Sequence, residues 1–386
     1  MLHGPRNVLS RGHRREVTPL VRCTYTLRVL AVITCLAGVA CMSDATSDRR
    51  PVRTTLDEVF ATETVITLGE DQQDSISIPG IWKERRRGGF LLSDGHLPRI
   101  RSYDEDGRLE AAFGRFGRGP FEFQRIGSVT ETPEGRVVVA DGGQAGLTYL
   151  TSDLRPDTLV AFPGVPRRVE SLGDDLLVRM NLLSEWTEDA SRFFRQPLLL
   201  HRVKRQSVVW SAHTLPFVPI ERPYWMSMIG FPFAVAGDSI YVASSLRYPM
   251  AILNAEGDSV GEIGAPSETF KPVPVFEPGA LTPGQYSTGS SNVLAGYNTI
   301  SRIDAVGSHL ILTHGQYDSA RFLRSLHSTV DIYDRHGGVK LYEDVPLPER
   351  SRILGGGRYL YMLLDTDFPP WRVAKLRFRD RATRRP

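Results

Sequence analysis

Short apolar runs recur along this chain, and each follows a turn that contains glycine. The turns contain Gly88-Gly89, Glu134-Gly135, Gly173-Asp174-Asp175, Gly237-Asp238, Gly307-Ser308 and Gly355-Gly356-Gly357. The runs that follow them are Phe90–Leu92, Val137–Ala140, Leu176–Val178, Ile240–Ala243, Leu310–Leu312 and Tyr359–Leu364. Short apolar runs bounded by turn residues are typical of buried strands, and little helical periodicity is present. The pattern predicts six repeats of a turn followed by a buried strand.

A second turn recurs further along several of these units. Asp104 precedes Gly107 by three residues, and the same spacing joins Asn254 to Gly257 and Asp334 to Gly337. Asp and Asn accept local backbone hydrogen bonds, and glycine adopts positive φ readily, so each set predicts a tight hairpin. A similar hairpin near Ser152-Asp153 lacks glycine.

The spacing of these units predicts the architecture. Asp94 and Asp141 are separated by about one unit of ~50 residues, and Asp104 and Asn254 by three such units. Repeats of this length that contain several strands are typical of propeller blades. The sequence predicts an all-β fold, a six-bladed β-propeller of four-stranded antiparallel blades. A Pro-, Gly-, Ser- and Thr-rich loop at 265–298 interrupts the period.

The predicted propeller spans residues 55–379. Its blades are predicted at 73–113, 114–162, 163–216, 228–264, 298–345 and 346–379. The apolar stretch Val65–Leu68 precedes the first blade and is predicted to add a strand to the last one. Such closure removes exposed sheet edges.

The N-terminal region predicts export. Arg28 precedes an apolar run, Val29–Ala40, which is short for a membrane span and suits a signal peptide over residues 1–40. Residues 41–54 are polar and predict a flexible tether. The chain has a formal net charge of +3, but residues 1–40 hold six arginines and one acid, so the remainder is slightly negative. The basic tail at 380–386 lacks interleaved aromatic residues, and we expect no binding of nucleic acid.

All three cysteines, Cys23, Cys35 and Cys41, lie in this N-terminal region. The propeller therefore has no disulfide and no thiol for catalysis or metal binding. Leu36-Ala37-Gly38-Val39-Ala40 followed by Cys41 resembles the lipobox of bacterial lipoproteins, with Gly38 where that family usually has leucine. The resemblance implies acylation of Cys41 and a lipid-anchored monomer at the bacterial cell envelope, in the outer membrane or periplasm. Cleavage without acylation, which would give a secreted protein, is the alternative.

The region 90–150 carries a resemblance to a known family. It contains Ser93-Asp94-Gly95, Tyr103-Asp104 with Asp106-Gly107, a glycine-rich segment from Gly114 to Phe123, and Val139-Ala140-Asp141. Together these motifs resemble bacterial six-bladed β-propellers of the NHL-repeat type, many of which are exported and lipid-anchored. The resemblance implies that Gly117, Gly119, Pro120, Glu122 and Phe123 form a structural blade junction. Phe121 stands where the family commonly has glycine.

Few residues predict chemistry. The order of glycines in 114–119 does not match a phosphate-binding loop, and a strand pattern follows it rather than a helix. Asp94, Asp141, Asp304 and Asp365 lie near strand ends, where capping of turns is the usual role. His309 and His314 are predicted on opposite faces of one strand. Tyr224, Trp225 and Phe231 belong to an aromatic cluster that is either a ligand platform or packing between blades.

These observations favour a non-catalytic binding or scaffold protein whose partner, a protein or a small molecule, they leave open. The alternative is a metal-dependent propeller enzyme, lactonase- or lyase-like, acting on a small molecule at the channel mouth. No metal site is predicted and no cofactor is expected, with a divalent cation such as calcium as the alternative. Convergence of several Glu, Asp, Asn and His side chains at the channel mouth would favour the enzyme.

Overall fold

The computed structural model describes residues 51–69, 75–143, 146–161, 164–182, 200–204, 207–212, 232–273, 296–316, 328–367 and 369–379. They form six four-stranded antiparallel sheets arranged as the blades of a six-bladed β-propeller, which confirms the predicted fold class. Residues Pro51–Pro386 form one compact unit. No helix in the described ranges is long and apolar enough to cross a membrane.

Each blade is a meander in which consecutive strands pair. Blade one contains β2 (Pro79–Glu84), β3 (Phe90–Asp94), β4 (Ile100–Tyr103) and β5 (Leu109–Phe113). Blade two contains β6 (Ile126–Glu131), β7 (Val137–Asp141), β8 (Gly146–Leu150) and β9 (Pro156–Ala161). Blade three contains β10 (Gly164–Leu172), β11 (Asp175–Leu182), β12 (Leu200–Lys204) and β13 (Ser207–Ala212).

The second half of the ring repeats this plan. Blade four contains β14 (Phe233–Ala236), β15 (Ser239–Ser244), β16 (Arg247–Leu253) and β17 (Ser259–Ile263). Blade five contains β18 (Asn298–Val306), β19 (His309–Gln316), β20 (Ser328–Asp334) and β21 (Lys340–Pro346). Blade six contains β22 (Arg352–Gly355), β23 (Leu360–Leu363), β24 (Trp371–Phe378) and the N-terminal strand β1 (Phe60–Leu68), which follows the one-turn helix α1 (Leu56–Val59).

The six predicted buried runs are the second strands of the six blades, namely β3, β7, β11, β15, β19 and β23. These strands lie inside their sheets and are covered by the neighbouring blades. Every residue of β3, β7 and β23 is buried as a result. This burial on both faces explains why the second strands are continuous apolar runs rather than alternating ones.

The hairpins predicted from Asp/Asn and Gly join the third and fourth strands. In blade one the amide of Gly107 donates to the carbonyl of Asp104 at 3.2 Å, and in blade four that of Gly257 donates to Asn254 at 3.1 Å. Blade two lacks a glycine here, and Leu154 adopts a φ of 62° instead. Blade two thus places a side chain in the left-handed region that glycine usually occupies. In blade five the turn is one residue longer than predicted, because Gly338 rather than Gly337 donates to the carbonyl of Asp334, at 2.9 Å, and has a positive φ of 66°.

The ring closes through β1, which pairs with β24 from Phe60↔Phe378 to Leu68↔Trp371. The predicted strand Val65–Leu68 is the C-terminal half of β1. Blade six therefore combines three C-terminal strands with one N-terminal strand, and β1 is its outermost strand.

The core consists of apolar layers between adjacent blades. Between blades six and one, Trp82 stacks on Phe90 and on Tyr361, with ring centroids 3.7 and 4.7 Å apart. Trp371 completes this layer and donates its indole N–H to the carbonyl of Ile76 at 2.9 Å. Such layers hold each blade to the next, so the channel wall is fixed by packing that lies behind it.

Several predicted segments extend beyond the described ranges. The signal peptide, residues 41–50 of the predicted tether, the middle of the 265–298 loop and the 380–386 tail lie outside them. The last part of the predicted tether lies against blade five, where Val52 bridges Tyr342 and Arg53 pairs with Glu268 at 2.8 Å.

Candidate functional site

The mouth of the central channel is built from the turns that join first and second strands. It is a cavity of about 630 Å³. Its lining residues come from blades one, two, three, four and six: Lys83, Glu84, Arg85, Arg86, Glu131, Ser171, Gly173, Val235, Gly237, Asp238, Gly356, Gly357 and Arg358. We call this cavity the channel mouth. Because charged residues, glycine and serine dominate its lining, it suits a polar ligand.

An ion pair across the channel adjoins this cavity through Lys83, which lines it, and we call this pair and its charged neighbours the floor of the channel mouth. Lys83 on β2 and Glu170 on β10 are 2.5 Å apart between Nζ and Oε2. The two strands belong to blades one and three, which are not neighbours, so their side chains meet across the channel. Arg168 also contacts Glu170, with Nη2 3.3 Å from Oε1. The channel mouth is therefore a cup with a charged floor.

Glu170 is held in its ionised form. Burial alone would raise the pKa of this carboxyl, but the charges and hydrogen bonds of Lys83 and Arg168 outweigh it and lower the pKa below the ordinary value. Two cations thus share one carboxylate at this level. The inner strand of blade five, β18, adds a balanced pair in which Arg302 Nη2 lies 2.8 Å from Asp304 Oδ1. The floor keeps one excess positive charge, which favours an acidic group on a ligand.

Glu84 and Glu131, two of the three acids that line the channel mouth, are paired, whereas Asp238 is exposed in the β14–β15 turn. Glu84 accepts a hydrogen bond from Arg358 Nε at 2.8 Å, and Glu131 accepts from Arg85 Nη2 at 3.0 Å. The Arg85–Glu131 pair is buried on both sides. Both pairs join residues of different blades and so stabilise the wall of the channel mouth.

A second cluster of ionisable side chains lies in blade five, away from the channel. His314 on β19, Asp331 on β20 and Asp344 on β21 have ligand-type atoms within 4.8 Å of one another. His314 and Asp331 are fully buried, and the Asp344 side chain is 9% exposed. We call these three residues the blade-five cluster. It is the one such group of His, Cys, Asp or Glu in the described ranges.

Neighbours from blade four and β21 surround Asp331 and keep it charged. Tyr248 donates its hydroxyl to Asp331 Oδ2 at 2.9 Å, and Lys340 Nζ lies 3.0 Å from the same oxygen. Burial would raise the pKa of Asp331, but His314, Lys340 and the amide of Asp344 lower it to about 2. Burial and the charge of Asp331 raise the pKa of Tyr248, so its hydroxyl stays a donor.

The acids that the sequence places near strand ends do not converge. Asp94 accepts the amides of Ser77, His96 and Leu97, and Asp141 accepts those of Gln124, Arg125 and Gly143. Asp304 pairs with Arg302, and Asp365 accepts the amide of Asp367. In each case the carboxylate binds groups nearby in its own or the adjoining segment.

The glycine-rich segment 114–123 connects β5 to β6. Glu122 accepts a hydrogen bond from the amide of Gly119 at 2.7 Å and pairs with Arg115 at 2.8 Å. Phe123 is fully buried between blades one and two, and Gly117 donates its amide to the Phe123 carbonyl at 3.1 Å. Pro120 follows Gly119 in the same turn. Phe121, which replaces the family's glycine, has a φ of 59°, a value that glycine adopts without strain.

Cys41 and the aromatic residues Tyr224, Trp225 and Phe231 lie outside the described residues, so lipidation and the ligand platform stay predictions.

The two histidines have opposite neighbours, as the strand period predicts: His309 stacks on Phe378 of blade six, and His314 contacts Phe270 on the blade-four side. Sequence reasoning missed Lys83, Glu170, Asp331 and Asp344. The contact of Lys83 with Glu170 joins residues far apart in sequence, and no motif marks either one.

Two solved structures with TM-scores above 0.5 support the fold. No protein-family model matches the sequence, and no curated protein matches it. A candidate exported protein from Bacteroides fragilis NCTC 9343 has 12% identity and a TM-score of 0.60, with 86% of this chain and 98% of that chain covered. A member of the DUF4221 family from Bacteroides vulgatus ATCC 8482 has 13% identity and a TM-score of 0.59, with coverage of 83% and 98%. Virginiamycin B lyase from Staphylococcus aureus has 11% identity and a TM-score of 0.45, with coverage of 82% and 99%.

Proposed function

We propose that this protein is an exported, envelope-anchored propeller of the NHL-repeat type that acts as a non-catalytic binding protein. Its ligand is polar, carries an acidic group and occupies the channel mouth. No cofactor is required for this binding, and the protein acts as a monomer. The observation that carries the proposal is the cup at the channel mouth, with an excess of positive charge around Glu170.

The arrangement of charges supports binding over catalysis. A general acid or base needs a pKa near the working pH, which usually comes from an unpaired, desolvated group. At the channel mouth Glu84 and Glu131 are paired with arginines, and the pKa of Glu170 is lowered by its cationic neighbours. Such paired groups suit electrostatic recognition of a ligand.

The metal-dependent enzyme has less support. Its mechanism needs several Glu, Asp, Asn or His side chains at the channel mouth. Within the described ranges, the group able to hold a metal lies instead on the second, third and fourth strands of blade five. A cation there would not face a ligand in the channel.

A thermal-shift screen of the purified full chain tests the proposal. Probes are matched pairs that differ in one acidic group, such as sugars with the corresponding sugar acids, and peptides ending in carboxylate or amide. We expect acidic probes to raise the melting temperature and their neutral partners to have less effect. The shift should fall in Lys83→Gln, which weakens the positive floor. Arg108→Glu is the control, because Arg108 is exposed in the β4–β5 turn at the outer rim.

Three results would count against the proposal. Equal shifts by acidic and neutral probes, or an undiminished shift in Lys83→Gln, would remove the channel mouth as the site. Mass spectrometry of the recovered probe checks turnover. A chemically changed probe would favour the enzyme.

Anchoring is tested separately from ligand binding. Cys41 follows a lipobox-like segment, so the full chain expressed in a bacterial host should incorporate an alkyne-labelled fatty acid and fractionate with membranes. Cys41→Ser should lose both properties, whereas Cys35→Ser should keep them. Label retained in Cys41→Ser would exclude acylation at this cysteine.

A further inference from the structure

The blade-five cluster owes its geometry to a β-bulge. Val330 pairs with Val345 and Ile332 with Tyr342, so two residues of β21 lie opposite Asp331. Asp344 is one of them, and its φ of 51° is in the left-handed region. Its amide donates to Asp331 Oδ1 at 2.9 Å. A bulge changes the direction of a side chain, and a positive φ at a residue other than glycine costs energy. Both features occur at Asp344, which indicates a functional constraint on its position.

The distances within the cluster are those of ligands around a small cation. His314 Nε2 lies 3.4 Å from Asp331 Oδ1 and 3.7 Å from Asp344 Oδ1. Charge-assisted hydrogen bonds are shorter, at about 2.7–2.9 Å. Ligands bound to zinc at about 2.1 Å in a tetrahedron are separated by roughly 3.4 Å. The ligand-type atoms of all three residues lie within 4.8 Å of one another, and the two distances from His314 fit a shared metal ion better than direct hydrogen bonds.

An unsatisfied oxygen gives independent support. Asp344 Oδ2 is buried and has no hydrogen-bond partner among the described residues, although Oδ1 of the same carboxylate accepts from Ser267 at 2.7 Å. Leaving a buried carboxylate oxygen unpaired is costly. A cation beside this carboxylate would remove that cost.

We propose that His314, Asp331 and Asp344 bind one divalent transition-metal ion of the zinc class within blade five. The donor set contains one imidazole nitrogen and two carboxylates, which suits zinc, iron, cobalt or manganese. Calcium prefers six to eight oxygen ligands and would bind more weakly. The site is independent of ligand binding at the channel mouth.

Neighbouring side chains fix the ligands in place. Lys340 and Tyr248 hold Asp331 Oδ2, which leaves Oδ1 directed towards His314. Thr329 Oγ1 lies 3.2 Å from His314 Nδ1 and 3.3 Å from Nε2, so a hydrogen bond to Nδ1 would leave Nε2 for the metal. Such outer contacts orient metal ligands in proteins, and their loss alone weakens metal binding by about 10–100-fold. Because Tyr248 belongs to blade four, an ion here would also strengthen the junction of blades four and five.

Metal binding is tested on the full chain after treatment with EDTA and return of Zn²⁺ or Co²⁺. We expect one equivalent of metal by mass spectrometry, a higher melting temperature, and visible Co²⁺ absorption without a sulfur charge-transfer band. Ca²⁺ should not compete. His314→Gln and Asp344→Asn should each weaken binding by more than ~100-fold, given the smaller effect of outer contacts alone.

His309→Gln is the matched control, because His309 lies on the same strand and faces blade six. Its metal affinity should equal that of the unmodified chain. The three N-terminal cysteines are retained in every variant, so metal held by them would persist in His314→Gln. If a ligand variant fails to fold, the Co²⁺ spectrum and Ca²⁺ competition of the unmodified chain decide the matter. Unchanged binding in His314→Gln, a thiolate spectrum, or displacement by Ca²⁺ would overturn the proposal.

Discussion

Asp94 and Asp141 occupy equivalent places in blades one and two and make equivalent bonds. Each ends the second strand and accepts amides from the segment that enters its own blade, 17 residues earlier in both cases. Asp94 also has Arg101 Nη1 at 3.5 Å. A carboxylate at this point ties the start of a blade to its second strand, which is why the residue recurs with the blade period.

The stability contributed by Asp94 should depend on pH. Burial would raise the pKa of Asp94, but hydrogen bonds from Leu97, Ser77 and His96 outweigh it, so the folded-state pKa lies below the ordinary value of about 3.9. The stability that the Asp94 charge contributes is therefore fully present at pH values above the ordinary pKa, and it is lost as the pH falls through the folded-state pKa. We expect Asp94→Asn to lower the free energy of unfolding by about 2–3 kcal/mol at pH 7, since its amide opposes donor N–H groups.

Urea unfolding of Asp94→Asn and the unmodified chain at pH 7 and at pH 3 measures this effect. The difference should shrink at the lower pH. Asp106→Asn is the control, because Asp106 is exposed in the β4–β5 turn and should change stability little at either pH. A difference that is constant across this range would show that the charge of Asp94 contributes nothing.

At the scale of elements, the buried strands could be predicted from the sequence more readily than the exposed ones. The second strands were predictable because they are apolar throughout and begin after glycine turns. The outer strands β5, β9 and β17 are mostly exposed, so they carry no apolar pattern that marks them. The site was less predictable still. The bulge that turns Asp344 towards Asp331 has no glycine or other sequence signal, and the pair Lys83–Glu170 depends on two blades that are brought together only by the closed ring.

Strand β1 should be critical for stability through one of its faces. Leu68 is buried against blade one at 1% exposure, whereas Val65 is 38% exposed. We expect Leu68→Ala to lower the free energy of unfolding by about 2–4 kcal/mol, because the cavity it leaves adds to the lost burial. Val65→Ala, in the same strand, should cost less than about 0.5 kcal/mol.

Hydrogen exchange distinguishes closure from general packing. In Leu68→Ala the amides of β24 should exchange faster, while those of β7 in blade two should be affected least. Equal acceleration in both strands would mean that β1 has no special role in closing the ring.

At the scale of the whole molecule, buried polar links join neighbouring blades as the apolar layers do. Arg85 of blade one donates to Glu131 of blade two at 3.1 Å and to the carbonyl of Ser152 at 2.7 Å. Both partners of the ion pair are buried, with side chains at most 3% exposed. Removing one partner leaves a charge buried without its counter-ion.

A double-mutant cycle measures this coupling between blades. Arg85→Met and Glu131→Gln should each cost about 3–5 kcal/mol. The double variant should cost less than their sum, with a coupling of about 1–3 kcal/mol. The exposed pair Arg136–Asp157 within blade two is the control, and its coupling should not exceed about 1 kcal/mol. Additive effects at Arg85 and Glu131 would show that the two blades are not joined by this pair.

The pairing of β1 with β24 also bears on how the chain is made. The ribosome produces β1 before the other strands of the ring and β24 after them, so β1 lacks its pairing partner until the other strands of all six blades have been made. A premature stop after residue 370 would remove β24 and at the same time leave β1 without the strand it pairs with. Small losses at the C-terminus should therefore be as damaging as losses from the middle of a blade, and a protease acting on a nascent chain would meet an open ring.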